Sequence, residues 1–200
     1  MLFRSKRMLA YSSIAHAGYL MVAVGAATTT SAKATDAAFG AISFYLLAYT
    51  LMTMGSFGVL ILLSRRGAHL ETINDLKGLA RRDPFAAYMM LIFMLSLGGI
   101  PPTMGFLGKW FIFNAVLQAG QVGMAIALAF ASIISIYYYL RIVWMMCFQE
   151  PDTEEKIPYA SVPLGVQTTI IIAGAASLIL GLLPGLANLF LRAGETVLNK

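Results

Sequence analysis

Charge is scarce in this 200-residue chain: only 12 % of residues are Asp, Glu, Lys or Arg, against roughly 25 % in an average soluble domain. Hydrophobic residues make up 59 %, more apolar surface than soluble packing can hide in so short a chain. Cysteine is almost missing. Cys147 stands alone inside an apolar run, which excludes an internal disulfide and reads as a membrane-embedded structural thiol. No Cys/His spacing resembles a metal site, so none is expected. There is no P-loop, no dinucleotide fingerprint and no long hydrophilic stretch to hold a nucleotide or flavin. No soluble domain is expected; residues 1–200 read as a single membrane domain. The net charge of +5 does not indicate nucleic acid. The basic residues cluster in short loops and interleave with acids, which is a topology signal and not a groove-binding stripe.

What the chain does have is long apolar runs. A helix needs about 20 apolar residues to cross the hydrocarbon of a bilayer. Five such segments are legible, at Met8–Ala27, Phe39–Leu63, Pro84–Gln118, Val122–Phe148 and Val162–Leu183. Pro184 and Gly185 end or bend the last before a short amphipathic tail. The first follows a basic start, as a secretory leader would. Tyr11, Ser12, Ser13 and His16 dilute it, so a retained membrane helix is expected. The third segment, about 35 residues, would reach some 50 Å as one helix. It is interrupted at Gly98–Gly105 by LGGIPPTMG, where proline removes a donor and glycine frees the turn. The expected fold is therefore all-α and polytopic, with about five transmembrane helices, one of them discontinuous. Loop charge predicts orientation. Arg4, Lys6 and Arg7 flank the first segment, and Arg65, Arg66, Lys77, Arg81 and Arg82 fill the second loop. The loop between them has only Lys33 and the third loop no basic residue. Basic loops face the cytoplasm, which places the N-terminus inside and the C-terminus outside. The acidic fourth loop, EPDTEEKIPY, fits this least well.

Lys109 is the candidate centre. No other Asp, Glu, Lys or Arg lies between Asp83 and Arg141, and a central lysine costs roughly 2.5 to 3.5 kcal/mol to insert. It follows Gly98, Gly99, Pro101, Pro102 and Gly105. Buried charge beside a broken helix is a common construction in ion and proton carriers. The bland alternative is a lysine that snorkels to the headgroups. His16 comes second. Ser12, His16 and Tyr19 share a helical face at spacings of four and three, either a proton-relay stripe or polar glue between helices. Thr50 and Thr53 of the second segment either bond their own helix or line a polar path, while Gly55, Ser56 and Gly58 there allow close packing. Arg141 reads as an interface anchor, with Tyr137, Tyr138 and Tyr139 as belt aromatics. Trp110 and Trp144 read as packing or interface residues, and the methionines at 52, 54, 89, 90 and 94 as adaptable packing.

Three stretches, RSKRMLAYSSIAHAGYL, DLKGLARRDPFAAYMMLIFMLSLGGIPPTMGFLGKWFIF and SIISIYYYLRIVWMMCF, resemble subunit N of the proton-pumping NADH–quinone oxidoreductase, respiratory complex I, whose mitochondrial counterpart is NADH dehydrogenase subunit 2. The resemblance implies a proton-translocating subunit of the membrane arm, in a bacterial inner membrane, beside other membrane-arm subunits. It implies no cofactor in this chain: NADH, FMN, iron–sulfur clusters and quinone belong to other subunits. Lys109 matches the lysine of the discontinuous helix in the second inverted repeat, and His16 a position near the hydrated axis. The family has about fourteen helices in two inverted repeats, so this chain resembles the C-terminal third. It is expected to be part of a longer frame, a split gene or a truncation. Two other readings stay open: a subunit of a multi-protein cation/proton antiporter, and a non-catalytic fragment. The carboxylates all lie in loops or flanks, so an acidic partner for Lys109 is expected from missing helices or a neighbouring subunit.

Overall fold

The computed structural model describes residues 5–28, 32–67, 72–151, 157 and 163–186, and every regular element among them is helical. Helix α1 spans Ser5–Ala27 and α2 spans Ala32–Arg65. A 3₁₀ turn at Ile73–Leu76 and a one-turn helix α3 at Leu79–Arg82 follow. Then come α4 at Pro84–Gly98, α5 at Met104–Gln118, α6 at Val122–Phe148 and α7 at Leu164–Leu182. Helices α1, α2, α6 and α7 are each long and apolar enough to cross a membrane. With the α4–α5 pair they account for the five expected segments. The break falls at Gly99–Thr103, inside the predicted interruption.

The largest boundary difference is at the start of α2. The second helix begins at Ala32 rather than near Phe39, because alanine is the best helix former and four alanines lie between Ala32 and Ala38. Hydropathy marks the apolar part of a helix, not the part that continues into the interface. The amphipathic tail and most of the acidic fourth loop lie outside the described residues.

Helix α2 is the centre of the bundle, packed on α1, α4, α5 and α7, while α6 closes over α4. Small residues permit this. A Cβ on Gly55 would lie 2.2 Å from the tip of the Phe93 ring, and one on Gly58 2.9 Å from Ile170. Gly55→Ala is therefore expected to lose about 1–3 kcal/mol to overpacking. Thermal unfolding in detergent measures this, and Phe93→Leu in the same chain should recover part of it.

The second loop is docked rather than free. Ile73, Leu76 and Leu79 are buried, and Gly78 donates its N–H to the Met145 carbonyl at 3.1 Å. Arg66, expected as a loop charge, is buried against Asp83 and forms an ion pair through Nη1. Asp83 also caps α4, its Oδ1 accepting from Ala86 N at 3.2 Å, and Pro84 occupies the first helical position, where no donor is needed.

Candidate functional site

The last four carbonyls of a helix have no partner in the helix itself, and at the end of α4 each can be followed. Gly99 takes a left-handed conformation, φ 80°. Its N–H reaches the Leu95 and Ser96 carbonyls at 3.0 Å, and Ile100 N reaches Leu95 O at 2.9 Å. Leu97 and Gly98 are left over. Lys109 Nζ, from the second turn of α5, donates to both, at 3.1 and 2.9 Å. A third donation, at 3.3 Å, goes to Ser135 Oγ on α6. An ammonium has three N–H donors, and three acceptors surround it. The helix end also carries the negative pole of the α4 dipole. Lys109 is only 7 % exposed and turns toward the break, not toward a headgroup, which removes the snorkelling alternative. Gly99 is needed twice: for its φ, and because a Cβ there would lie 2.9 Å from Lys109 Cδ.

His16 lies across the same polar cluster, 1 % exposed. Its Nδ1 is 2.6 Å from Tyr45 Oη and its Nε2 is 3.2 Å from Tyr139 Oη. A neutral imidazole has one donor and one acceptor, so one phenol gives a hydrogen bond and the other receives one. Tyr49 stacks on the ring with centroids 4.8 Å apart. Tyr19 links the two halves: Lys109 Nζ sits 5.0 Å from its ring centroid, the His16 ring meets it edge-on at 5.8 Å, and its hydroxyl donates to Ser135 Oγ at 3.4 Å. Ser135 donates onward to Ser132 O at 2.7 Å. Five helices thus contribute to one buried polar cluster.

Of the residues singled out in sequence, Lys109, His16 and Tyr19 are brought together. Ser12 is buried nearby, on a crevice of ≈ 380 Å³ that it lines with Tyr11 and Tyr138. Thr50 is exposed and bonds Leu46 O of its own helix at 2.8 Å. Thr53 keeps its hydroxyl buried without a partner. Neither hydroxyl hydrogen-bonds to Lys109 or His16. The three tyrosines do not act as one belt. Tyr137 is 72 % exposed and Tyr139 is 1 % exposed, since consecutive helical residues turn by about 100°. Arg141 and Cys147 lie on the outer face of α6, and Trp110 and Trp144 are also exposed, stacked on Phe113 and Phe148. Tyr45 and Ser135 gave no sequence signal beyond being polar atoms in apolar helices, and Tyr139, expected as a belt aromatic, is instead buried against His16. Among the described residues no three of His, Cys, Asp and Glu gather as a metal would require, and the contacts of Lys109 include no carboxylate.

A lysine thus sits on the carbonyls of a broken membrane helix and faces a histidine across a tyrosine. Residues 3–135 match the model of the family described as NADH:quinone oxidoreductase/Mrp antiporter, TM. The chain belongs to that family. It is an integral, multi-pass membrane protein. It is 40 % identical over 197 residues to NADH-quinone oxidoreductase subunit N of Cupriavidus taiwanensis, a match covering 97 % of this chain and 39 % of that relative. A chain of respiratory complex I from Thermus thermophilus with bound Aureothin superposes with a TM-score of 0.71 at 35 % identity, over 92 % of this chain and 39 % of that one. The Mrp complex of Dietzia sp. DQ12-45-1b contains a chain of the same fold, TM-score 0.73 at 22 % identity, covering 94 % of this chain and 41 % of that one. The chain thus spans less than two-fifths of the curated relatives it matches, 39 % in the case of the Cupriavidus protein.

Proposed function

We propose that this chain forms the C-terminal part of a membrane-arm subunit of NADH–quinone oxidoreductase and supplies a proton-translocating half-channel. The observation that carries this is Lys109, whose amine bridges the break in α4–α5 and the Ser135 hydroxyl of α6. An intramembrane amine so placed is suited to take up and release a proton. His16 is a second station, with Tyr19 between the two. In this reading the protons move in response to NADH oxidation and quinone reduction carried out in other subunits, which hold the FMN, iron–sulfur clusters and quinone. This chain holds no cofactor and performs no redox step, and no nucleic acid is a partner. Its partners are other membrane-arm subunits and the surrounding lipid. It lies in a bacterial inner membrane, with the N-terminus cytoplasmic and the C-terminus outside, as the loop charges favour.

The family description also names antiporters, so cation/proton exchange is the second reading. Inside-out vesicles from the native host distinguish them. Deleting the gene for this chain should abolish NADH-driven acidification, and restoring it should recover the signal, with the chain co-purifying with NADH-oxidising activity. Sodium-driven proton movement that depends on the chain and ignores NADH would move the assignment to an antiporter. No change in either would leave a non-catalytic fragment.

A further inference from the structure

One hydroxyl beside the break ties three helices together. Ser96, fully buried on α4, accepts the Gly105 N–H of α5 at 3.2 Å and a hydrogen bond from Ser177 Oγ of α7 at 3.0 Å. Gly105 N–H belongs to the first turn of α5, where backbone donors have no helical acceptor. Around this bond there is no slack. A Cβ on Gly105 would stand 1.9 Å from the Ser96 carbonyl, and one on Gly181 of α7 would stand 2.4 Å from the Pro102 carbonyl. Helix α7 is therefore seated directly on the break, and Ser96 immediately precedes Leu97 and Gly98, the two carbonyls that hold Lys109.

We propose that Ser96 and Ser177 are positioning residues for Lys109. Through them α7 holds the two half-helices in the register that turns the Leu97 and Gly98 carbonyls toward the amine. The proposal rests on the reading of Lys109 as a proton-transfer group. Its physical basis is that an apolar surrounding offers no replacement partner. With alanine at 96, Gly105 N–H has no acceptor, and the start of α5 must move to find one, taking Lys109 with it. With alanine at 177, Ser96 loses a donor but the link between the half-helices survives, so the effect is smaller. Because both act through one hydroxyl, the two substitutions should not add.

The test is the ratio of NADH-driven acidification to NADH oxidation in vesicles carrying the assembled complex, which a residue that only stabilised the fold would leave unchanged per assembled complex. Ser177→Ala is expected to lower the ratio about two- to five-fold and Ser96→Ala roughly ten-fold, with the double variant no worse than Ser96→Ala. Gly181→Ala, which pushes α7 off the break without touching a hydroxyl, should reproduce the loss. Thr168→Ala, at an exposed position bonded within α7, should not. An unchanged ratio in Ser177→Ala at normal assembly overturns the proposal, and that variant decides alone if Ser96→Ala does not assemble. Lys109→Ala in the same assay separates the two claims. If it leaves the ratio unchanged, the proton-transfer reading fails. If it collapses the ratio and the serine variants do not, only the positioning role fails.

Discussion

Lys109→Arg is expected to keep the helix break and stop proton transfer at it. The guanidinium supplies more N–H donors than the ammonium, so the Leu97 and Gly98 carbonyls retain partners. Arginine does not release its proton in proteins, so a site that must give the proton up is blocked. Loss of a positioned proton-transfer group typically costs about 10²–10⁴ in the rate of the step it serves, and the low end, roughly a hundred-fold, is expected. Lys109→Ala should show the same functional loss and an added structural one, because two buried carbonyls are left without donors, at about 1–3 kcal/mol each. The pair separates transfer from packing. NADH-driven acidification, normalised to assembled complex and to NADH oxidation, is the measurement. Undiminished acidification in Lys109→Arg would show that this amine carries no proton.

The second large effect lies at the other end of α4. Arg66→Met is expected to destabilise the fold by about 3–5 kcal/mol, the usual cost of leaving a buried charge without its partner. Asp83 is 2 % exposed and Arg66 6 % exposed, so water does not replace the lost ion pair. Among the described residues, Asp83 then keeps its cap on Ala86 N. Adding Asp83→Asn should recover much of the loss, since asparagine caps a helix as well as aspartate does and carries no charge to strand. Thermal unfolding of the detergent-solubilised protein, followed by tryptophan fluorescence, reports both. A single variant within about 0.5 kcal/mol of the parent, the range of ordinary surface substitutions, would show that the pair does not hold α2 to α4.

The two ends of α4 were not equally legible. At its C-terminus Gly98, Gly99, Pro101 and Pro102 announce the break, because proline and glycine disrupt a helix by their own covalent structure. Lys109 is conspicuous because no other formal charge is near it. At its N-terminus Arg66 and Asp83 sit in a loop with several other charges, and nothing in that list says which two are buried together. His16 was visible through its spacing from Ser12 and Tyr19 on one helix. Tyr45, Tyr139 and Ser135 were not, because each meets His16, Tyr19 or Lys109 from a different helix. Tyr139 was hidden further by its two neighbouring tyrosines, of which Tyr137 faces outward.

Hydropathy and chain breakers are properties of neighbouring residues, and in lipid every backbone polar group must be satisfied nearby. The spans, their order and the interruption in the third were therefore settled by the sequence. Which side of each helix faces inward was not. These helices are apolar on nearly every side, so there is little amphipathic stripe to set their rotation. Only the packed bundle decided that rotation, through contacts such as Gly55 on Phe93, Gly108 on Tyr45 and Gly181 on the Pro102 carbonyl. With it the bundle decided that the ammonium of Lys109, the hydroxyl of Ser135, the ring of Tyr19 and the imidazole of His16 would share one buried cluster.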